Sequence, residues 1–202
     1  DDLRRDGKIE FLGGKPELVR LGEFDDINLA MMLHTTSNPD EKLMCISNTN
    51  NGTLAKRIQF IGRASHAGSS PHRGVNALQA AMVALNALNT QRETLRNELN
   101  VRLHGIMTRG GVAVNSVPAD VRYEARVRGR TEEAIADASE KMDRCMRAGA
   151  LALGAKVEIV TIPGYLPMKN DPEMMDLFKR NATELVGETA VTTHPADRNR
   201  GG

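Results

Sequence analysis

Cysteines, aromatic residues and long apolar runs are all scarce in this sequence, and each shortage excludes a class of protein. Cys45 and Cys145 are the only cysteines and lie far apart, so neither a disulfide framework nor a zinc knuckle is indicated. Aromatic residues make up 3%, with no tryptophan, which leaves too few stacking platforms for a typical single-stranded nucleic-acid or sugar binder. No apolar run approaches the roughly 18 residues of a membrane span, and the first residues lack a signal-peptide layout. We therefore expect a soluble, cytoplasmic protein.

An excess of charge of either sign is also missing. The 27 lysines and arginines nearly balance the 26 aspartates and glutamates, which leaves a net charge of +1. This balance excludes a polybasic arm for nucleic acid or membrane surfaces, and it excludes an acidic tail. Hydrophobic residues make up 40%, so the chain has an ordinary globular composition and can bury a core. No nucleic-acid or membrane partner is predicted.

The middle of the chain predicts a complete small domain. Residues 120–128 alternate strictly between apolar and charged side chains, which is typical of a half-exposed antiparallel strand with an outward arginine row. Thr131 predicts the N-cap of a long helix, and Gly154 predicts its end. The order is β-α-β-β-α-β, the ferredoxin-like plan. The predicted strands are 56–61, 101–107, 120–128 and 156–162, and the predicted helices are 75–95 and 131–153.

Each predicted helix has an apolar stripe that should face the sheet. The stripe of the first helix is Leu78, Ala81, Met82, Leu85 and Leu88, and that of the second is Ile135, Ala138, Met142, Cys145 and Ala152.

The segments on either side predict pieces of a second α/β domain. Residues 27–33 form a nearly continuous apolar run, which predicts a strand buried on both faces of a parallel sheet and ending at His34. A short strand is predicted at 8–12, helical turns at 16–21, a short strand at 43–46, and a helix from Asp171 to Gly187. We therefore expect residues 1–50 and 166–202 to belong to one α/β domain, into which a ferredoxin-like domain of residues 51–165 is inserted.

Two loops and one strand end carry the polar residues that packing does not explain. The loop at residues 62–74 is rich in histidine, serine and glycine, and it suits a functional site about as well as a capped strand-to-helix turn. No GK[ST] follows its glycines and GxSxG is absent, so a P-loop and a serine nucleophile elbow are not indicated. The turn with Gly110, Gly111 and Asn115 has a bulged-turn alternative, and His34 has that of an ordinary strand-end residue.

Three motifs together resemble the M20 family of metallopeptidases and amidohydrolases. They are FDDINLAMMLH, FIGRASHAGSSPHRGVNALQAA and HGIMTRGGVAVNSVPADVRYEARVR, in this order. The resemblance runs from residue 8 to about residue 187, and it is nearest to the subgroup that contains the p-aminobenzoyl-glutamate hydrolases and the M20 domain-containing protein 2 dipeptidases. It implies an aminopeptidase-like α/β catalytic domain, interrupted by a ferredoxin-like lid through which the protein forms a homodimer. It also implies two divalent metal ions per subunit, zinc or manganese.

The resemblance assigns roles to individual residues. His66 resembles the lid histidine that reaches into the partner's active site and stabilises the oxyanion, a task that suits an imidazolium. Asn115 and Arg128, with Arg126 as the alternative arginine, resemble the polar pair that holds the substrate carboxylate, which matches the fork of a guanidinium. His34 resembles a metal ligand.

Other parts of the family pattern are missing. The Glu-Glu pair, the HxD motif, the bridging aspartate and the last ligand histidine have no counterpart, and His194 matches none of them and is given no role. A hydrolytic zinc site needs about three protein ligands, so one recognisable ligand does not suffice. Either residues are missing from this sequence or the chain is a truncated remnant. We therefore expect a metal-dependent hydrolase of N-acyl amino acids or dipeptides for the complete protein, and alternatively a non-catalytic dimerisation fragment.

Overall fold

The computed structural model describes residues 2–11, 13–36, 38 and 41–194, and the chain divides into two compact units. We call Gly52–Leu166 the sheet unit and the described residues outside it the flanking unit. The bounds of the sheet unit lie one residue from the predicted 51–165. In chain order the elements are α1 (Asp2–Arg5), α2 (Gly14–Arg20), β1 (Met44–Ile46), β2 (Thr49–Asn50), β3 (Gly52–Ile61), α3 (Ala77–Gln91), β4 (Arg102–Arg109), β5 (Asp120–Gly129), α4 (Glu132–Leu153), β6 (Lys156–Tyr165), β7 (Met168–Lys169), α5 (Pro172–Val186) and β8 (Val191–Thr193).

The sheet unit has the predicted ferredoxin-like fold. Its four strands lie in the order β4-β5-β3-β6, and all neighbours are antiparallel. Strands β3 and β4 are therefore parallel to each other with β5 between them, which is the split βαβ arrangement. Thr131 caps α4 by accepting a hydrogen bond from the Ala134 amide at 3.1 Å, and Gly154 ends this helix in the left-handed conformation, as predicted. The predicted mixed α/β fold class is confirmed.

The contact between α3 and α4 is made by small residues, which corrects the predicted stripe of α3. The buried face of α3 is alanine-rich, whereas Met82 is 48% exposed. A Cβ placed on Gly149 of α4 would lie 2.4 Å from the Ala80 carbonyl oxygen, so only glycine fits there. The helices approach so closely that larger side chains are excluded from the contact. Ala152 was also predicted to be buried and is exposed; the buried residues of α4 are Ala134, Ile135, Ala138, Met142, Cys145, Met146, Gly149 and Ala150.

A buried ion pair ties the sheet to α4. Lys56 of β3 is 1% exposed, and its Nζ lies 2.8 Å from Oδ1 of Asp143. The same ammonium donates a hydrogen bond of 2.7 Å to the Thr161 hydroxyl on β6. A charge this deeply buried is tolerated only when it is paired and hydrogen-bonded. The pair therefore stabilises the packing of α4 on the sheet only while both partners are present.

The flanking unit has short strands and a small core. Strand β1 pairs in parallel with β8, and β2 pairs antiparallel with β7. The core is built on Ile46, Ala182 and Val191. The predicted helices are present as α2 and α5, and the predicted strand at 43–46 is present as β1. Among the described residues, no helix combines the length and apolar character that crossing a bilayer requires.

Helix α2 is held to the segment before it by one carboxylate. Glu17 accepts hydrogen bonds of 3.0 Å from each of the amides of Glu10 and Phe11, and its other oxygen accepts from the Arg20 guanidinium. These bonds, that from Arg20 above all, lower the pKa of Glu17 to about 2.

The predicted buried strand at residues 27–33 is not formed. Residues 27–36 contain neither helix nor strand, and Leu29 and Leu33 are 72% and 76% exposed. A doubly buried strand needs a strand on each side and a helix on each face, and no described residue supplies such neighbours. Residues 8–11 are likewise not a strand, and Leu12 lies outside the described residues.

Candidate active site

The loop between β3 and α3 has a fixed backbone. The Arg63 amide donates to the Val75 carbonyl at 3.0 Å and the Val75 amide donates back to Arg63 at 2.9 Å, which closes the loop at its base. A Cβ on Gly62 would lie 2.0 Å from the Val75 carbonyl oxygen, so the close approach requires glycine. The loop is therefore held in one conformation by its own main chain.

The imidazole of His66 in this loop is oriented by two backbone amides. Nδ1 accepts hydrogen bonds from the amides of Gly68 at 3.2 Å and Ser69 at 3.1 Å. Because Nδ1 is an acceptor, the proton of the neutral ring is assigned to Nε2. The residue is exposed, so His66 presents Nε2–H outward as a hydrogen-bond donor. The geometry thus favours a neutral donor, in contrast to the imidazolium expected from the resemblance.

Asn115 lies beside this loop. The Ala67 amide donates to the Asn115 carbonyl at 2.9 Å, and the Val117 amide donates to the Ser65 carbonyl at 2.9 Å. His66 and Ser116 form an isolated β-bridge. These main-chain contacts bring two motifs that are about fifty residues apart in sequence to the same end of the sheet unit. The Asn115 residue is exposed there.

Arg128 lies at the opposite end of the sheet unit. It pairs with Thr53 on β3 and Arg102 on β4, eight positions along β5 from Asp120. At the usual rise of a strand, eight residues span roughly 25 Å. Its Nε is buried and has no hydrogen-bond partner among the described residues. The structure therefore does not bring Arg128 and Asn115 together within one copy of the chain.

The alternative arginine lies on the same side of the sheet as Arg128. Arg126 is exposed and pairs with Ala55 and His104 on the neighbouring strands. The arginine row of β5 faces away from the helices, as predicted.

The aspartate at the start of this row is held by three donors. Asp120 receives hydrogen bonds from Arg122 at 3.1 Å and from the Gln59 amide at 2.8 Å, and Arg109 lies 3.2 Å from the same carboxylate. The bond from Arg122 and those other groups lower the pKa of Asp120 below its ordinary value. The carboxylate is therefore ionised at neutral pH.

His34 is exposed, and its Nδ1 lies 2.6 Å from the carbonyl oxygen of the adjacent Thr35. In the described part of the chain it belongs to no group of three side chains placed to hold a metal ion. The described residues therefore do not fit the paired metal ions that the resemblance implies, since such a site needs three or more ligands around each ion. The role of His34 as a ligand stays a prediction.

One cluster of candidate ligands was missed by sequence reasoning. Glu41, Cys45 and His194 place their ligand atoms within 4.8 Å of one another in the flanking unit. No role was predicted for His194, nor for His72 and His104, which are surface residues on a short turn and on β4. Because His194 lies about 150 residues from the other two, no local spacing could have indicated the cluster; only the four-residue separation of Glu41 and Cys45 is visible in the sequence.

Comparison with known proteins places these features in a family. A sequence profile of the peptidase dimerisation domain of the M20 family matches residues 48–152. The chain is 31% identical to the Xaa-Arg dipeptidase of Mus musculus over 189 residues, covering 91% of this chain and 42% of the relative. It is 26% identical to one of the p-aminobenzoyl-glutamate hydrolase polypeptides of Escherichia coli, covering 75% of this chain and 32% of the relative. The chain thus spans less than half the length of these two curated relatives.

A solved structure shows the same fold. The aminobenzoyl-glutamate utilization protein from Klebsiella pneumoniae superposes with a TM-score of 0.72 at 23% identity, covering 92% of this chain and 47% of that one. At this level of identity the likeness concerns the fold.

Proposed function

Because this chain belongs to the M20 peptidase family, whose dimerisation domain it contains, we propose that the whole protein hydrolyses the amide bond of an N-acyl amino acid or a dipeptide. The names of the two curated relatives, a dipeptidase and a hydrolase of p-aminobenzoyl-glutamate, support this reaction class. Both names describe an amide whose amine side is an amino acid with a free carboxylate. The substrate of this protein is accordingly an amide with a carboxylate on the leaving amino acid.

The proposed role of His66 is to donate a hydrogen bond to the oxygen of the scissile carbonyl. When water adds to the carbonyl carbon, that oxygen becomes an oxyanion, and a donor fixed in advance stabilises it without reorganisation. The outward Nε2–H, held by the two amides on Nδ1, has the polarity that this task needs. Zinc or manganese ions are the cofactors expected for the water, and since the described residues do not fit such a site, no step is assigned to a metal here.

The proposed roles of Asn115 and Arg128 are to bind the substrate carboxylate from two different copies of the chain. Their separation along the sheet unit is the observation that carries the proposal: at roughly 25 Å, one small carboxylate does not reach both within a single copy. In a symmetric dimer each active site takes His66 and Asn115 from one copy and Arg128 from the other. The buried Arg128 Nε, which lacks a partner, fits a residue that awaits an anion.

Complementation between two inactive variants tests this arrangement. In the whole protein, His66→Ala and Arg128→Ala should each lower the rate of p-aminobenzoyl-glutamate hydrolysis by at least about a hundredfold, since each removes a fixed donor. Co-refolding equal amounts of the two variants should restore about a quarter of the wild-type rate, because half the dimers are mixed and each mixed dimer has one intact site.

The matched control is a mixture of His66→Ala and Asn115→Ala. These residues come from the same end of one copy, so no mixed dimer regains an intact site and no rate should return. His72→Ala, a change in the same exposed loop, should keep wild-type turnover. A mixture of His66→Ala and Arg128→Ala that stays inactive, or an active His66→Ala variant, contradicts the proposal.

A second function is favoured by the missing ligand shell around His34 in the described part of the chain. In this alternative the chain is a non-catalytic dimerisation module. The 202-residue chain should then sediment as a dimer and show no hydrolysis of p-aminobenzoyl-glutamate with zinc or manganese present. A monomeric mass contradicts both functions, because each uses the sheet unit as a dimer interface.

A further inference from the structure

Three side chains with metal-binding atoms meet in the flanking unit. Glu41 precedes β1, Cys45 lies within it and His194 follows β8. Their ligand atoms all lie within 4.8 Å of one another, and the Nε2 of His194 is 3.6 Å from Oε1 of Glu41. The cluster offers one carboxylate oxygen, one sulfur and one imidazole nitrogen.

The main chain fixes the position of each of these residues. In the parallel pairing of β1 with β8, Cys45 is opposite Thr192, and the His194 amide donates to the Ile46 carbonyl at 2.9 Å. Between Glu41 and β1, Lys42 adopts a left-handed φ of 55°, and its ammonium donates to the Val191 carbonyl at 3.4 Å. The three side chains therefore converge because of strand pairing and a turn, so the site is largely formed before any ion binds.

Two of the three side chains are deeply buried. His194 is 3% exposed and Glu41 is 6% exposed, whereas Cys45 is half-buried. Burying a carboxylate is costly unless a cation compensates its charge. His194 can do so only as an imidazolium, whereas a divalent ion would compensate both the carboxylate and a cysteine thiolate, with the imidazole neutral. The partly open side of the cluster at Cys45 leaves a route by which an ion can enter.

The donor set selects among metals. Sulfur together with imidazole is typical of Zn²⁺, whereas Mg²⁺, Ca²⁺ and Mn²⁺ prefer oxygen ligands. Zinc bond lengths of about 2.0–2.3 Å put tetrahedral ligand atoms about 3.3–3.8 Å apart. The separation of 3.6 Å between His194 and Glu41 already lies in that range, and the others, up to 4.8 Å, need to contract by at most about one ångström.

We propose that Glu41, Cys45 and His194 form a Zn²⁺ site that joins the segment before β1 to the end of β8. Three protein ligands leave the fourth tetrahedral position to water or another donor. Cys45 supplies the thiolate, so zinc binding releases its proton.

Cobalt substitution tests this proposal on the 202-residue chain, because a thiolate bound to Co²⁺ gives a near-ultraviolet charge-transfer band. We expect one Co²⁺ per chain, a thiolate band that saturates with it, and loss of the band when Zn²⁺ is added. In Cys45→Ser the band should be absent. In Cys145→Ser it should remain, because burial raises the pKa of the Cys145 thiol and keeps it protonated in the sheet unit.

Two further pairs of variants separate binding from folding. His194→Ala and Glu41→Gln should weaken Co²⁺ binding at least tenfold, whereas His104→Ala and Glu188→Gln, which change exposed residues, should leave it unchanged. Circular dichroism checks that each variant is folded, and Glu41→Gln is close enough in shape to keep the test valid if His194→Ala unfolds. The absence of a thiolate band in the wild-type chain, or a band that persists in Cys45→Ser, overturns the proposal.

Discussion

The sheet unit buries its apolar side chains, whereas the run at residues 27–33 exposes residues of the same kinds. Val121 and Val127 in the sheet unit are 0% exposed, and Leu29 and Leu33 in the run are 72% and 76% exposed. The difference does not lie in hydrophobicity. The sheet unit draws all of its strands and helices from one continuous stretch of chain, so each apolar face finds its partner there. An apolar run alone indicates a demand for burial, and only neighbouring elements can meet it.

The largest expected loss breaks the buried ion pair of the sheet unit. Asp143→Ala leaves the Lys56 ammonium buried without its counter-charge, which should lower the free energy of unfolding by about 3–5 kcal/mol. Lys56→Met removes the buried charge itself and should cost much less. Asp137→Ala, which removes a largely exposed partner of Lys141 on the same helix, should cost at most about 1 kcal/mol. Urea denaturation of the wild type and the three variants checks this order; equal losses in Asp143→Ala and Asp137→Ala would contradict it.

A smaller loss is expected from crowding the contact between the two helices. Gly149→Ala pushes a methyl group against the Ala80 carbonyl and Ala84, which should lower the free energy of unfolding by about 1–3 kcal/mol. This loss should appear although alanine favours a helix by about 1 kcal/mol over glycine. Gly110→Ala meets nothing within 4 Å and is the matched control. Thermal unfolding measures both; a stabilised Gly149→Ala variant would show that the helices can separate without cost.

The acidic stability of the sheet unit should depend modestly on Asp120. Its pKa is lowered in the fold, mainly by Arg122, so its contribution is complete above the ordinary value of 3.8 and is lost as pH falls through the lower value in the folded state. The wild type should exceed Asp120→Asn by about 1 kcal/mol at pH 6, and the two should converge below pH about 3. Denaturation at several pH values tests this; a difference that grows on acidification has the wrong sign.

The smallest effect is expected in the exposed run. Leu33→Ala should change the free energy of unfolding by no more than about 0.5 kcal/mol, since the side chain is largely in water. Leu88→Ala makes the same change in the core of the sheet unit and should cost about 2–5 kcal/mol. Comparable losses at both positions, measured by guanidinium denaturation, would mean that residue 33 packs against something in solution.

Local signals predicted the sheet unit well because each is read within a few residues. The alternation of β5 and the caps at Thr131 and Gly154 are properties of short stretches, and the structure has them where expected. The stripe of α3 was wrong because residue size, set by the close approach of α4 at Gly149, outweighed hydrophobicity in selecting the buried face.

The candidate site was predictable only in part. The loop of His66 is evident from its composition, yet its two amide contacts to Nδ1 and its bridge to Ser116 depend on the folded loops. The distance between Asn115 and Arg128 follows from strand length once β5 is known, and it changes how the pair can act. The cluster of Glu41, Cys45 and His194 depends on pairing between strands at opposite ends of the chain, which no local pattern encodes.

The two amides that hold Nδ1 of His66 also determine its regiochemistry toward electrophiles. This ring has one nitrogen engaged by main-chain donors and the other directed outward. An alkylating or acylating reagent therefore meets Nε2, the same atom that is proposed to face the substrate. Chemical modification of this residue and blockage of the oxyanion position would accordingly be one event, and bound substrate would protect against both.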